Sequence, residues 1–295
     1  MLRKIITKIF LKVGSFKRKF ITFHTRPIFA SDIKYIGKET AEDALCAIII
    51  QGPIRREDNF TLETVKLYRK HYPAATVILS TWEDEDVSSF EILKSEHLKI
   101  ILSPKPPIAG QNNVNMQIAS TKAGFDFATL LHLKYVLKTR TDERMYGVDC
   151  LKFLIKMLNR FPVVGSTVQK QRIICHTAGT RKFNPYRFSD IFQFGAISDM
   201  KIFWENYSLE KPVTICPEIY LATRFLDNTG WKVKNTLEDS LEVLGKRFIV
   251  IDNESVDLYW CKYENTWREH PLVNYANPNL EVTFKTWLNE TYVPA

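Results

Sequence analysis

At 295 residues the chain can bury a large core, as one domain or as a domain with an appended half. Apolar residues at 45%, charged residues at 25% and only 11 glycines exclude collagenous, disordered and low-complexity classes. The net charge of +8 is confined to one end: residues 1–30 carry Arg3, Lys4, Lys8, Lys12, Lys17, Arg18, Lys19 and Arg26 and no acid, so the remainder is neutral. A nucleic-acid groove needs clustered cations on the domain that does the reading, and nucleic acid is therefore not an expected partner.

Leu2, Ile5, Ile6, Ile9, Phe10, Val13, Phe16 and Phe20 recur at helical spacing among these cations. Residues 1–30 thus read as a basic amphipathic arm suited to an anionic membrane surface, or as a core-packing helix with a solvated basic face. No apolar run reaches the roughly 20 residues of a spanning helix, and no signal-peptide pattern is present. Cys46, Cys150, Cys175, Cys216 and Cys261 show neither metal-ligand nor redox spacing and fit buried thiols of a reducing compartment. A cytoplasmic protein, peripheral on the inner face of the membrane, is the expectation.

Residues 45–51 form an unbroken apolar run ending at Gly52-Pro53, the pattern of a fully buried parallel strand. Asp58 or Asn59 would cap a helix running to His71, before Pro73. A second strand covers 76–79 and ends at Ser80-Thr81-Trp82. A short helix near 86–95, a third strand over 98–102, a helix over 113–131 and a fourth strand over 135–138 follow. Beyond residue 145 the spacing predicts a helix at 148–160, strands at 173–176 and 191–194, a helix from Pro217 to about Leu226 and a strand at 248–251. Periodicity fades beyond Asn265.

Strands alternating with helices predict an α/β fold, a mostly parallel sheet flanked by helices. Ligands on such sheets gather at the carboxyl ends of the strands. Those ends carry Gln51-Gly52-Pro53, Ser80-Thr81-Trp82-Glu83-Asp84, Ser103-Pro104 and Thr139-Arg140-Thr141-Asp142. There is no Gly-x-Gly-x-x-Gly after the first strand, no Walker-A run and no Gly-x-Ser-x-Gly elbow, which argues against dehydrogenases, P-loop enzymes and α/β-hydrolases. A nucleotide whose diphosphate is held by side chains and a metal remains. In Lys138-Thr139-Arg140-Thr141-Asp142-Glu143-Arg144, a carboxylate can hold a divalent metal, while Arg140 and Lys138 can pair with phosphate. The same run also reads as a solvated loop of mixed charge.

Ile48-Ile49-Ile50-Gln51-Gly52-Pro53-Ile54, Asn59-Phe60-Thr61-Leu62-Glu63-Thr64 and Ile78-Leu79-Ser80-Thr81-Trp82 resemble the WavE lipopolysaccharide synthesis family. So do Asn115-Met116-Gln117-Ile118-Ala119-Ser120-Thr121 and Lys138-Thr139-Arg140-Thr141-Asp142, in the same order, over about residues 45–230. The resemblance implies a GT-A-like glycosyltransferase of lipopolysaccharide or capsule assembly. It would have a nucleotide lobe at about 40–146, a smaller acceptor lobe at about 147–265 and a tail at 266–295. The implied partners are a nucleotide-sugar donor and a glycolipid or polysaccharide acceptor.

Where GT-A enzymes carry Asp-x-Asp, this chain reads Arg140-Thr141-Asp142. Asp142 is then the implied ligand of Mn²⁺ or Mg²⁺, or of a sugar hydroxyl, and the first carboxylate has been replaced by a cation. By the same analogy Gln51 and Gly52 meet the base, and Trp82, Glu83 and Asp84 meet base or ribose, although Trp82 reads equally as core. Asn115 and Gln117, two apart, suit a helix start facing the ligand or simple capping. Glu218, behind Pro217 at a helix start, and Asp190 are the candidates for orienting or deprotonating the acceptor hydroxyl. Either also reads as a structural cap or turn residue. His176 reads as a strand or loop histidine. A non-catalytic scaffold on a transferase fold is the alternative, and Arg140 is its best support.

Overall fold

The structure is a computed structural model that describes residues 24–93, 95–165, 168–205, 207, 210, 213–263 and 280–294, with positions 5, 8–10, 12, 13 and 16 of the arm. Most of the expected arm, and residues 264–279 of the expected tail, lie outside the described residues.

A seven-stranded sheet organises the chain. In chain order its strands are β1 (Cys46–Gln51), β2 (Thr76–Trp82), β3 (Leu98–Ser103), β4 (Tyr135–Arg140), β6 (Ile173–His176), β7 (Gln193–Ala196) and β8 (Phe248–Ile251). Their spatial order is β3-β2-β1-β4-β7-β6-β8. β1 pairs in parallel with β2 and β4, β2 with β3, and β6 with β8. β7 runs antiparallel between β4 and β6. β1 is buried along its whole length, as a strand covered on both faces must be, which is why it reads as an unbroken apolar run.

Helices cover the sheet. α1 (Phe60–His71) follows β1, and α2 (Val114–Leu130) packs across β1 and β2. Gly124 permits that approach, since a Cβ there would stand 2.6 Å from Ile49 Cγ2. α3 (Cys150–Arg160) buries Leu151, Leu154, Ile155 and Leu158 and exposes Lys152 and Lys156, an amphipathic stripe. α4 (Ile197–Trp204), α5 (Pro217–Asn228) and α6 (Leu237–Arg247) complete the second half.

The first half follows the sequence pattern. The expected cap of α1 forms differently: Asn59 stands at the N-cap, but its side chain makes no capping bond. Asp58 and Asn59 instead supply two successive left-handed backbone positions, φ 48° and 53°, which Asp and Asn tolerate better than other side chains. In the second half the strand expected at 191–194 lies at 193–196, and α4 and α6 were not anticipated. Neither was a two-stranded antiparallel ribbon of β5 (Glu143–Met145) and β9 (Leu258–Trp260). This ribbon lays Trp260 and the residues after it over the end of β4, where the Cys261 N–H donates to Asp142 O at 3.0 Å.

Residues 280–294 pack into the core. Trp287 is wholly buried, donates through Nε1 to Leu244 O, and meets the rings of Phe161, Phe284 and Tyr292 at 5.1–5.8 Å. The Arg172 guanidinium lies 4.9 Å over Tyr292 and donates to Val293 O. The described apolar residues of the arm, Ile5, Ile9, Phe10, Val13 and Phe16, are exposed, and Phe16 is 90% accessible. No helix among the described residues is long and apolar enough to cross a membrane.

Candidate functional site

The carboxyl ends of β1, β2 and β4 open into one cavity of about 660 Å³. β1 contributes Gln51, then Gly52 and Pro53; β2 contributes Trp82; β4 contributes Arg140, Thr141 and Asp142. The sheet register explains the convergence: Gln51 pairs with Ser80 on one side and Arg140 on the other. Gly52 turns the chain at φ 116°, its N–H bonded to Ser80 O at 3.1 Å. Thr141 N–H donates to Gln51 O, so the ends of β1 and β4 leave the sheet together.

Gln51 is held from behind. Ser120 Oγ on α2 donates to Gln51 Oε1 at 2.8 Å, and Ser80 Oγ donates to Ser120 O at 2.6 Å. Among the described residues no hydrogen bond engages the Gln51 amide N–H₂ group. Ser120→Ala frees the carboxamide to rotate, and we expect it to weaken a ligand held by the Gln51 amide about three- to tenfold, the worth of one neutral hydrogen bond. Titration of the variant with nucleoside diphosphates checks this. Trp82 is only 3% accessible and lines the cavity.

Arg140 and Asp142 form a bidentate pair: Nε and Nη2 each donate at 2.8 Å, to Oδ1 and Oδ2 respectively. Burial pushes the Asp142 carboxyl up, but the guanidinium outweighs it and holds the group below the usual carboxylate range. Burial opposes the Arg140 charge, and Asp142 restores it with a net upward shift. The Arg140 guanidinium lies 5.6 Å over the Trp260 ring, with Lys262 Nζ 5.9 Å from the same ring.

A divalent ion needs carboxylate oxygens at roughly 2.0–2.6 Å. Both oxygens of Asp142 already hold a guanidinium, which would stand beside any such ion as a like charge. Among the described residues no group of three or more His, Cys, Asp or Glu side chains is placed to hold a metal. The donor set does not fit the metal that the family resemblance implies.

Beneath Arg140 lies a buried ionic layer. Lys138 is fully buried, donates to Asp190 O and sits 4.8 Å over the Trp204 ring. Burial pushes its pKa down despite the pull of Asp190. Asp190 accepts from Gln117 Nε2 at 2.6 Å, and Gln117 in turn lines the cavity. Burial, then the charge of Glu218, raises the Asp190 carboxyl.

Glu143 is also fully buried and accepts from Thr139 Oγ1 at 3.1 Å, with Oε1 unpartnered among the described residues. Burial pushes its carboxyl up into the neutral range. A carboxyl protonated in the fold and ionised when unfolded contributes stability that is complete below the unfolded value, about 4.3, and is lost as pH rises through the folded value. Glu143→Gln should therefore match the parent near pH 4 and exceed it in Tm near pH 8. The gain is at least about 1.4 kcal/mol, the worth of one pKa unit, and paired thermal melts at the two pH values test it.

The remaining expected residues stand apart from the cavity. Glu83 is exposed outside its lining, with its N–H bonded to Ser103 O. Asn115 is buried and donates through Nδ2 to Ile108 O, tying the preceding loop to α2. It is not among the residues that line the cavity. Glu218 faces Arg187 at 3.5 Å and accepts from Cys216 Sγ at 2.7 Å. His176 is a buried β6 residue whose pKa burial lowers to about 3, so it stays neutral.

The structure adds cavity residues that sequence reasoning missed. Lys105 lies two residues past the end of β3, where the strand-end rule already pointed. Asn112 and Asn113, at φ 50° and 62°, make the left-handed turn into α2; the paired asparagines before a helix were a readable signal. Arg55 and Glu85 come from loops just past strand ends, and Lys262 arrives from the turn after β9 with no local signal at all.

Among solved structures, the chain is similar to a mannose-1-phosphate geranyltransferase from Thermus thermophilus. Identity is 12%, the TM-score is 0.34, and the match covers 72% of this chain and 70% of that one. A likeness that weak carries no argument about function. No curated protein matches the sequence. The family model described as WavE lipopolysaccharide synthesis matches residues 46–216, more than half of the chain, and the span holds β1, β2, β4 and the cavity-lining residues except Lys262. The chain belongs to the WavE lipopolysaccharide synthesis family.

Proposed function

We propose that the protein is a nucleotide-sugar-dependent glycosyltransferase that extends a lipopolysaccharide core or a capsular glycan on a GT-A-like sheet. The observation that carries this reading is the single cavity at the ends of β1, β2 and β4. It unites an amide held for base recognition, a tryptophan edge and a fixed guanidinium. Transfer of a glycosyl group leaves a nucleoside diphosphate, and Arg140 stands where that negative charge would develop. Asp190, with its raised carboxyl and its link to the cavity through Gln117, is the better placed of the two candidate bases. Glu218, engaged by Arg187 and Cys216, acts in this reading by raising Asp190.

The acceptor belongs in a second cavity of about 310 Å³ on the far side of Arg55, which lines both. Its walls include Phe60, Tyr146 and Tyr259, faces suited to a sugar ring, and Arg26 at the base of the arm. The exposed apolar residues of the arm, among its lysines, suit an anionic inner-leaflet surface from which a glycolipid acceptor would arrive. The reading is tested by incubating the full chain with a panel of radiolabelled nucleotide sugars and lipopolysaccharide acceptors. Release or transfer of label from one donor is expected, and its loss in Asp190→Asn. Saturable nucleotide binding with no turnover on any acceptor would favour the scaffold reading, which the internally paired Arg140–Asp142 supports.

A further inference from the structure

We infer that this chain grips the diphosphate of its nucleotide with side-chain cations centred on Arg140, in the place where a divalent metal would otherwise sit. The inference rests on the donor reading above and deepens it.

The lining carries Arg55, Lys105, Arg140 and Lys262 against Glu85 and Asp142. A site that concentrates a divalent cation needs surplus carboxylate, and this one has surplus cation. Both acids are also committed. Glu85 accepts from the Ile54 N–H at 3.1 Å and pairs with Arg56 at 2.9 Å. Asp142 gives both oxygens to Arg140. Of these cations, Arg55 pairs with Glu57 and Lys105 with Asp84, both outside the lining, so the claim on phosphate falls to Arg140 with Lys262 beside it.

Asp142 engages Arg140 through Nε and Nη2, and no hydrogen bond among the described residues occupies Nη1. The guanidinium is thereby fixed in one plane, with an edge left for phosphate oxygens, the fork that suits arginine to this task. Trp260 supports it from one side and also carries Lys262, so two cations are set at one rim of the cavity. Asp142 is in this account a positioning residue: it orients a guanidinium and binds no metal.

Isothermal titration of the full chain with UDP, GDP, ADP and dTDP, each in EDTA and in excess Mn²⁺ or Mg²⁺, tests the inference. At least one nucleotide should bind with the same Kd in both conditions, and its affinity should fall with rising salt as a cation-held phosphate requires. Arg140→Lys should weaken that binding by about tenfold or more, because the planar fork is lost while the charge is kept, with an unchanged melting temperature as the control for folding. Arg140→Asp, which writes an Asp-Thr-Asp triplet, should lose metal-free binding and turn whatever remains metal-stimulated. Binding seen only with Mn²⁺ or Mg²⁺ in the parent chain would overturn the clamp and leave the donor reading standing. Binding of no nucleotide in either condition would overturn both.

Discussion

Arg140→Ala is expected to lower kcat/KM for the nucleotide sugar by about 10²–10³-fold, the loss that follows removal of one preorganised donor to a developing anion. The side chain is held by two 2.8 Å bonds to Asp142 and by the Trp260 face, so little reorganisation is needed when charge develops on the leaving group. The alanine variant also leaves the half-buried Asp142 without its partner, which costs about 1–3 kcal/mol of stability. The double variant Arg140→Ala/Asp142→Ala separates the two effects. It should recover most of the lost stability and none of the lost activity. Equal recovery of both would mean that the pair is only structural.

Trp287→Ala is expected to destabilise the fold by about 3–5 kcal/mol, the usual cost of emptying a buried tryptophan site. Trp287 touches Phe161 from the end of α3, Phe284 and Tyr292, and its indole N–H is satisfied by Leu244 O on α6. Removing it leaves a cavity lined by rings and exposes the seam between α6 and residues 280–294. Gly245→Ala should act in the same direction, since a Cβ there would stand 1.7 Å from Thr291 O. Urea denaturation with an unchanged m-value and a lowered midpoint reports both. A loss below about 1 kcal/mol in Trp287→Ala would show that the C-terminal segment is only loosely seated.

The first half of the sheet was legible because its strands are buried on both faces. Ile48-Ile49-Ile50 and Val77-Ile78-Leu79 leave no room for another reading, and the parallel topology then points to the strand ends. The second half was less legible because its pairings are short and distant. β9 is three residues long and meets β5 more than 100 positions away, so no window of sequence contains the pair. The α6 start does carry a local signal: Thr236 accepts from the Asp239 N–H, a Thr-x-x-Asp cap.

Burial of charge was the hardest feature to see. Lys138, Glu143 and Arg144 lie within a run that reads as a solvated loop, yet all three are buried. Arg144 illustrates why. Its guanidinium donates to Thr64 Oγ1, Phe60 O, Ile28 O and the Tyr146 hydroxyl, groups from residues far apart in the chain. Composition shows the cation but not the four acceptors that make its burial tolerable. Gln51, Trp82, Arg140 and Asp142 could be named from strand ends, whereas Lys262 needed the ribbon.

The most direct test of the account is a crystal structure of the full chain with its tightest-binding nucleoside diphosphate. The diphosphate is expected within hydrogen-bond distance of Arg140, with the base near Gln51 and Trp82. A nucleotide seated elsewhere, or one whose phosphates leave the Arg140–Asp142 pair untouched and outside contact, would contradict it.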